Sequence, residues 1–154
     1  MGANPGKLVY GTILVATLLA AESARQETYA TTAGAVVIAL LVYWLAASYA
    51  QFTGERLESG EPFHYGALLR TVAHEVGVVY GAIGPLAILL VLWAAGAALT
   101  TAVSAAIWTA AAMIVATEVL IGIRADLTGR ELVRQTAFGV VLGLLVVALR
   151  VLLH

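Results

Sequence analysis

The stretch that decides the fold runs from Val76 to Thr117, VGVVYGAIGPLAILLVLWAAGAALTTAVSAAIWTAAAMIVAT. It is 42 consecutive residues without a charge, bounded by Glu75 and Glu118. As one helix rising ~1.5 Å per residue it would be about 63 Å long, roughly twice the ~30 Å hydrocarbon core of a bilayer. The economical solution is two spanning helices joined by a turn at Gly96-Ala97-Ala98-Leu99-Thr100-Thr101. The chain therefore reads as an all-α, multi-pass transmembrane bundle. Helices are required because lipid offers no partner for an unpaired backbone group.

Working outward, five segments qualify as spans: residues 8–24, 33–52, 76–95, 102–123 and 132–153. Together they make one transmembrane domain over residues 1–154. The first mimics a signal peptide, but cleavage after Ala24 would place Glu22 at the −3 position, so it reads as a span. Five crossings put the termini on opposite sides. Lys7, Arg56, Arg70, Arg124, Arg130 and Arg134 then share one side, and Arg25 and Arg150 share the other. The positive-inside rule makes the N-terminus cytoplasmic, with the cell inner (plasma) membrane as the expected location. Residues 53–75 become a cytoplasmic loop carrying Glu55, Glu58, Glu61, His64, His74 and Glu75. Pro62 interrupts it, and Tyr65 to Ala73 reads as a short amphipathic segment. Trp44 and Trp93 are expected near mid-depth or deeper, which leaves the aromatic-belt signal mixed.

Composition narrows the function. The chain is 62% hydrophobic and 11% charged, against about 25% charge in soluble domains. Cysteine is absent, which excludes disulfides, thiolate metal sites and iron–sulfur clusters. A net charge of −1 without a basic stripe argues against nucleic acid. No nucleophile–base pair or phosphate-binding motif suggests an enzyme. The expected partners are the lipid bilayer and further copies of the chain, a dimer first.

Glu118 stands out because an intramembrane carboxylate costs roughly 2.5–3.5 kcal/mol on insertion scales. It reads either as a proton or cation site or as an interfacial acid paired nearby. His74 and Glu75 open the third span on the same side. With Glu118 they could offer nitrogen and oxygen ligands to Zn, Mn or Fe(II), a divalent cation being the one cofactor considered. Alternatively, His74 and Glu75 are headgroup-layer residues. Glu55 and Glu58, one turn apart, read as a cation-attracting pair or a solvated face.

Gly77, Gly81 and Gly84 share a face of the third span, and Gly139 and Gly143 share a face of the fifth. Either stripe serves close packing within the chain or between subunits. Pro85 removes one helical hydrogen bond, so a kink is expected. Arg150 falls near the face of Gly139 and Gly143. An ion pair with Glu22 at the same membrane surface is one expectation for it, and snorkelling is the other.

Several stretches resemble the vacuolar iron transporter family. Gly2-Ala3-Asn4 is similar to the family's opening, and Ala46-Ala47-Ser48-Tyr49 to part of its second helix. Gly81-Ala82-Ile83-Gly84-Pro85-Leu86 resembles its third-helix element, and Leu127-Thr128-Gly129-Arg130 with Gly139 and Gly143 the end of its fold. The resemblance implies five spans, a cytoplasmic N-terminus and metal transport. Pro5 stands where the family has Asp, and the family's second-helix Glu has no counterpart beside Tyr49. The chain also resembles small actinobacterial integral membrane proteins, which implies a bacterial source and no particular function.

Two functions follow from these readings. One is an oligomeric cation transporter or channel, divalent-metal or proton-coupled. In it Glu118 exchanges a proton for a cation, His74 and Glu75 assist capture, and Glu22 and Arg150 form an outer gate. The other is a non-transporting scaffold or accessory subunit. A polar crevice reaching Glu118 favours the first, and a dry bundle with paired charges the second.

Overall fold

The computed structural model describes residues 4–23, 28–60 and 62–153. Gly2, Ala3, Ala24, Arg25 and Glu61 lie outside them. Six helices follow in order: α1 (Pro5–Ser23), α2 (Tyr29–Ser59), α3 (Tyr65–His74), α4 (Gly77–Ala94), α5 (Leu99–Arg124) and α6 (Gly129–Leu153). Among the described residues, four elements are long and apolar enough to cross a membrane: α2, α3 and α4 taken together, α5, and α6. Among the described residues α1, 19 residues long with Lys7 and Glu22 near its ends, is not one of these.

That short helix is nevertheless the centre of the bundle. It packs against α2, α4, α5 and α6, while α2 also lies against α4, α4 against α5, and α5 against α6. Val15, Ala16, Leu19 and Ala20 of α1 have no exposed surface. They join Val36, Leu89, Val103, Ala106 and Ala110 in one apolar cluster. The outer helices turn broad apolar faces outward, including Ile38 and Val42 on α2 and Leu144 and Leu145 on α6.

The turns follow from the cap chemistry. At the end of α4, Gly96 adopts φ +75°. Its N–H donates to Trp93 O, and the Ala97 N–H donates to Leu92 O. This Schellman arrangement satisfies the last carbonyls and reverses the chain at the expected place. Asp126 repeats the geometry after α5 with φ 51°. α5 begins at Leu99, three residues earlier than the span expected from residue 102.

The stretch 53–75 is mostly helix: α2 continues to Ser59, the chain turns at Gly60, and α3 runs back along α2. Trp44 lies against the end of α3, its Nε1 donating to Val72 O at 3.2 Å. Trp93 closes α4 beside the Gly96 turn and stacks on Tyr29, with centroids 6.0 Å apart. Trp44 thus stands midway along α2, near the expected depth, whereas Trp93 lies at the end of α4.

α4 continues through Pro85, and the helical path is interrupted at Glu75–Val76, between α3 and α4. Proline at position 85 deprives the Gly81 carbonyl of its helical donor. The buried Thr12 hydroxyl of α1 supplies one, sharing its proton between Leu8 O and Gly81 O, each at 2.9 Å. A neighbouring helix thus satisfies a group that lipid could not. Thr12→Val is expected to cost about 1–2 kcal/mol. Adding Pro85→Ala restores a donor within α4 and should recover most of that loss. Unfolding of the detergent-solubilised variants in SDS titrations checks both outcomes.

Candidate functional site

The expected site residues fall into two separate polar clusters. The first joins α1 to the α3–α4 junction. Because the helical path breaks there, Glu75 turns inward while His74 remains exposed; Glu75 is only 5% exposed. Lys7, in the first turns of α1, meets Glu75 Oε1 at 2.5 Å. The same ammonium lies 3.0 Å from His74 Nδ1 and donates to the His74 carbonyl at 3.3 Å. An ammonium can only donate, so this His74 nitrogen accepts. Tyr43 of α2 hydrogen-bonds to Tyr10 of α1 beside this group, and their rings lie 5.3 Å apart. Lys7 and Glu75 thus form an ion pair across this junction.

The second cluster lies between α5 and α6. Gln135, Gly139 and Gly143 recur every four residues and so share one face of α6. Gln135 Nε2 donates to Glu118 Oε2 at 3.0 Å. The stem of Glu118 fills the space left by Gly139: a Cβ there would sit 2.7 Å from Glu118 Cγ. Gly143 faces the Ala111 backbone in the same way. Glu118 is half-buried, and its described partner is a neutral amide.

Glu75 and Glu118 thus occupy different helix interfaces. Among the described residues, no group of three His, Asp or Glu side chains is placed to hold a metal ion. The expected set His74, Glu75 and Glu118 does not assemble as one. Its shared sidedness is a property of the sequence order, whereas a shared cavity requires the same helix face. Glu55 accepts from Gln51 at 2.9 Å on an exposed surface, and Glu58 is exposed. Glu22 and Arg150 are half-buried in the last turns of α1 and α6, two helices that touch, and both are engaged in interactions.

The glycine stripes serve the chain's own packing. Gly77 faces the Lys7 stem, and Gly81 faces the α1 backbone at Leu8 and Thr12. Gly84 turns to Met113 of α5. One stripe therefore contacts two helices. Lys7, Gly11, Thr12, Tyr43 and Gln135 are the structural participants that spacing alone missed. A signal for α1 was present in Thr12, Ala16 and Ala20, small residues at intervals of four, all buried.

Comparisons of the chain with protein-family models, with curated proteins and with solved structures return no match.

Proposed function

We propose that this is an integral membrane protein crossing the bilayer five times, with its N-terminus cytoplasmic, that serves as a non-transporting scaffold or accessory subunit. The observation that carries this reading is the closed interior. The centre of the bundle is one apolar cluster, and the carboxylates Glu75 and Glu118 are engaged, by Lys7 and Gln135 respectively, as is Glu22. Two clefts, of about 470 and 450 Å³, lie at opposite ends, and neither is lined by Glu118. The alternating helix directions support the sidedness by gathering Lys7, Arg56, Arg70, Arg124, Arg130 and Arg134 at one end. The apolar outer faces of α2 and α6 suit lipid and assembly with a second copy or another membrane protein.

A cation transporter is the second reading, favoured by the half-buried Glu118 and its neutral partner. Its route would run between subunits, with Glu118 exchanging a proton for a cation and Glu22 and Arg150 at the outer mouth. It is the function that the resemblance to vacuolar iron transporters implies. Liposome flux with a panel of monovalent and divalent cations under a pH gradient separates the two. The scaffold reading expects no flux above protein-free vesicles, with Glu118→Gln indistinguishable from the parent. Flux that Glu118→Gln abolishes would overturn it in favour of transport.

A further inference from the structure

The second cleft lies at the tip of the α2–α3 hairpin, apart from both polar clusters. Phe52, Arg56, His64, Tyr65 and Arg70 contribute to its lining. Gly60, at φ 68°, turns the chain out of α2, and the aromatic rings fold it back. Phe63 meets Phe52 edge-on at 5.3 Å and Tyr65 edge-on at 5.0 Å. The Arg56 guanidinium sits over both phenylalanines, 5.7 Å from one centroid and 5.6 Å from the other. Such stacking orients the guanidinium without removing its charge. Arg70 reaches the same cleft from α3. The His64 Nδ1 lies 2.9 Å from the Pro62 carbonyl; a carbonyl only accepts, so Nδ1 carries the proton.

Depth along the helices identifies the environment. The stacked Tyr29 and Trp93 mark the far end of the bundle. From Trp93 to Arg70 along α4 and α3 is about 35 Å, and from Tyr29 to Arg56 along α2 is about 40 Å, at ~1.5 Å per residue. With the aromatic level at the far boundary of a bilayer ~40–45 Å thick including its headgroups, both fall near the opposite boundary. The surface around the cleft matches that depth: Leu57, Tyr65 and Leu69 are exposed apolar side chains beside exposed Arg70. An interfacial segment that presents apolar groups and arginines together suits anionic lipid.

We infer that the Arg56–Arg70 cleft is a binding site for the phosphate of an anionic lipid headgroup, held between α2 and α3. Arginine presents paired N–H donors that match phosphate oxygens. His64 can add a further donor from Nε2 when protonated, and the Tyr65 and Leu69 side chains meet the upper part of the acyl chains. The inference rests on membrane placement of the bundle and holds equally for a scaffold or a transporter.

The test uses the full chain in detergent micelles, titrated with phosphatidylglycerol or phosphatidylcholine, with bound lipid counted by native mass spectrometry. The expected result is preferential retention of phosphatidylglycerol. Arg70→Gln should weaken it about fivefold, the value of roughly one interfacial cation, and Arg56→Gln with Arg70→Gln by more than tenfold. Arg70→Lys should recover part of the loss. Arg130→Gln, at the same end of the bundle but outside the cleft, should change nothing. Because Arg56 also holds the aromatic turn, the exposed Arg70 variants carry the decision, with helicity by circular dichroism as the folding control. Equal retention of both lipids, or unchanged affinity in Arg70→Gln, would overturn the proposal. So would displacement of the lipid by inorganic phosphate at comparable concentration, which would assign the cleft to a soluble anion.

Discussion

Gly81→Ala is expected to force α1 and α4 apart and to lower stability by about 3 kcal/mol or more, at the upper end of overpacking effects. A Cβ at Gly81 would lie 2.9 Å from the Thr12 nitrogen and 3.0 Å from the Leu8 carbonyl carbon, with the Leu8 oxygen closer still. None of these atoms belongs to a flexible side chain, so relief requires a helix to move. Gly11 makes the reciprocal contact, where a Cβ would lie 2.7 Å from the Val78 carbonyl carbon and 2.9 Å from its Cα. Movement would also carry Thr12 away from the Gly81 carbonyl that Pro85 leaves without a helical donor. Gly11→Ala should therefore have a similar effect, and the two together should cost less than their sum, since separating the helices relieves both. SDS titration of detergent-solubilised protein measures each loss. A stability within about 0.5 kcal/mol of the parent for Gly81→Ala would show that α1 and α4 do not meet as described.

Lys7→Met is the second large effect, with an expected loss of about 3–5 kcal/mol, the usual result of leaving a buried charge uncompensated. The Glu75 side chain is 7% exposed and that of Lys7 18%, so solvent screens the pair only partly. The asymmetry matters more than the loss. Glu75→Gln leaves Lys7 with the His74 contacts and some water, and should cost less than Lys7→Met. Lys7→Met combined with Glu75→Met removes both charges and should restore most of the stability, because an apolar pair avoids the desolvation cost. A double-mutant cycle with a coupling below about 0.5 kcal/mol would show that the ion pair contributes little to the join between α1 and the α3–α4 junction.

These two contacts explain why a helix that does not qualify as a span by itself can occupy the centre. Association of helices in lipid gains little from the hydrophobic effect and depends on close backbone approach and internal hydrogen bonds. α1 brings Gly11, Thr12, Ala16 and Ala20 for the approach and Lys7 and Thr12 for the polar ties. Those properties count for little in a measure of length and hydropathy. The same physics separates the two glycine stripes from an oligomer surface, since the glycines are already occupied by neighbouring helices.

Much of the architecture was legible in the residues. The uncharged run predicted two helices and a reversal, and the reversal occurs at Gly96, where glycine takes the left-handed cap at least cost. Pro62 marked the interruption that separates α2 from α3, although α2 runs to Ser59, beyond the expected end at residue 52. The face carrying Gly139 and Gly143 was read from their spacing, which is a property of one helix. What spacing could not supply was the partner of that face: Glu118 over Gly139, Gln135 as the donor to Glu118, and Thr12 as the donor to Gly81.

The sequence by itself determined an all-helical chain suited to a membrane, the main turns, the asymmetry of positive charge and the small-residue faces, because each is set by local chemistry or by periodicity along one helix. Tertiary structure alone decided that α1 is central, that Glu75 belongs to Lys7 and Glu118 to Gln135, and that two arginines share a cleft at the tip of the α2–α3 hairpin. Those outcomes depend on the rotation and depth of one helix against another, and in lipid these are chosen by packing and by hydrogen bonds between segments far apart in the chain.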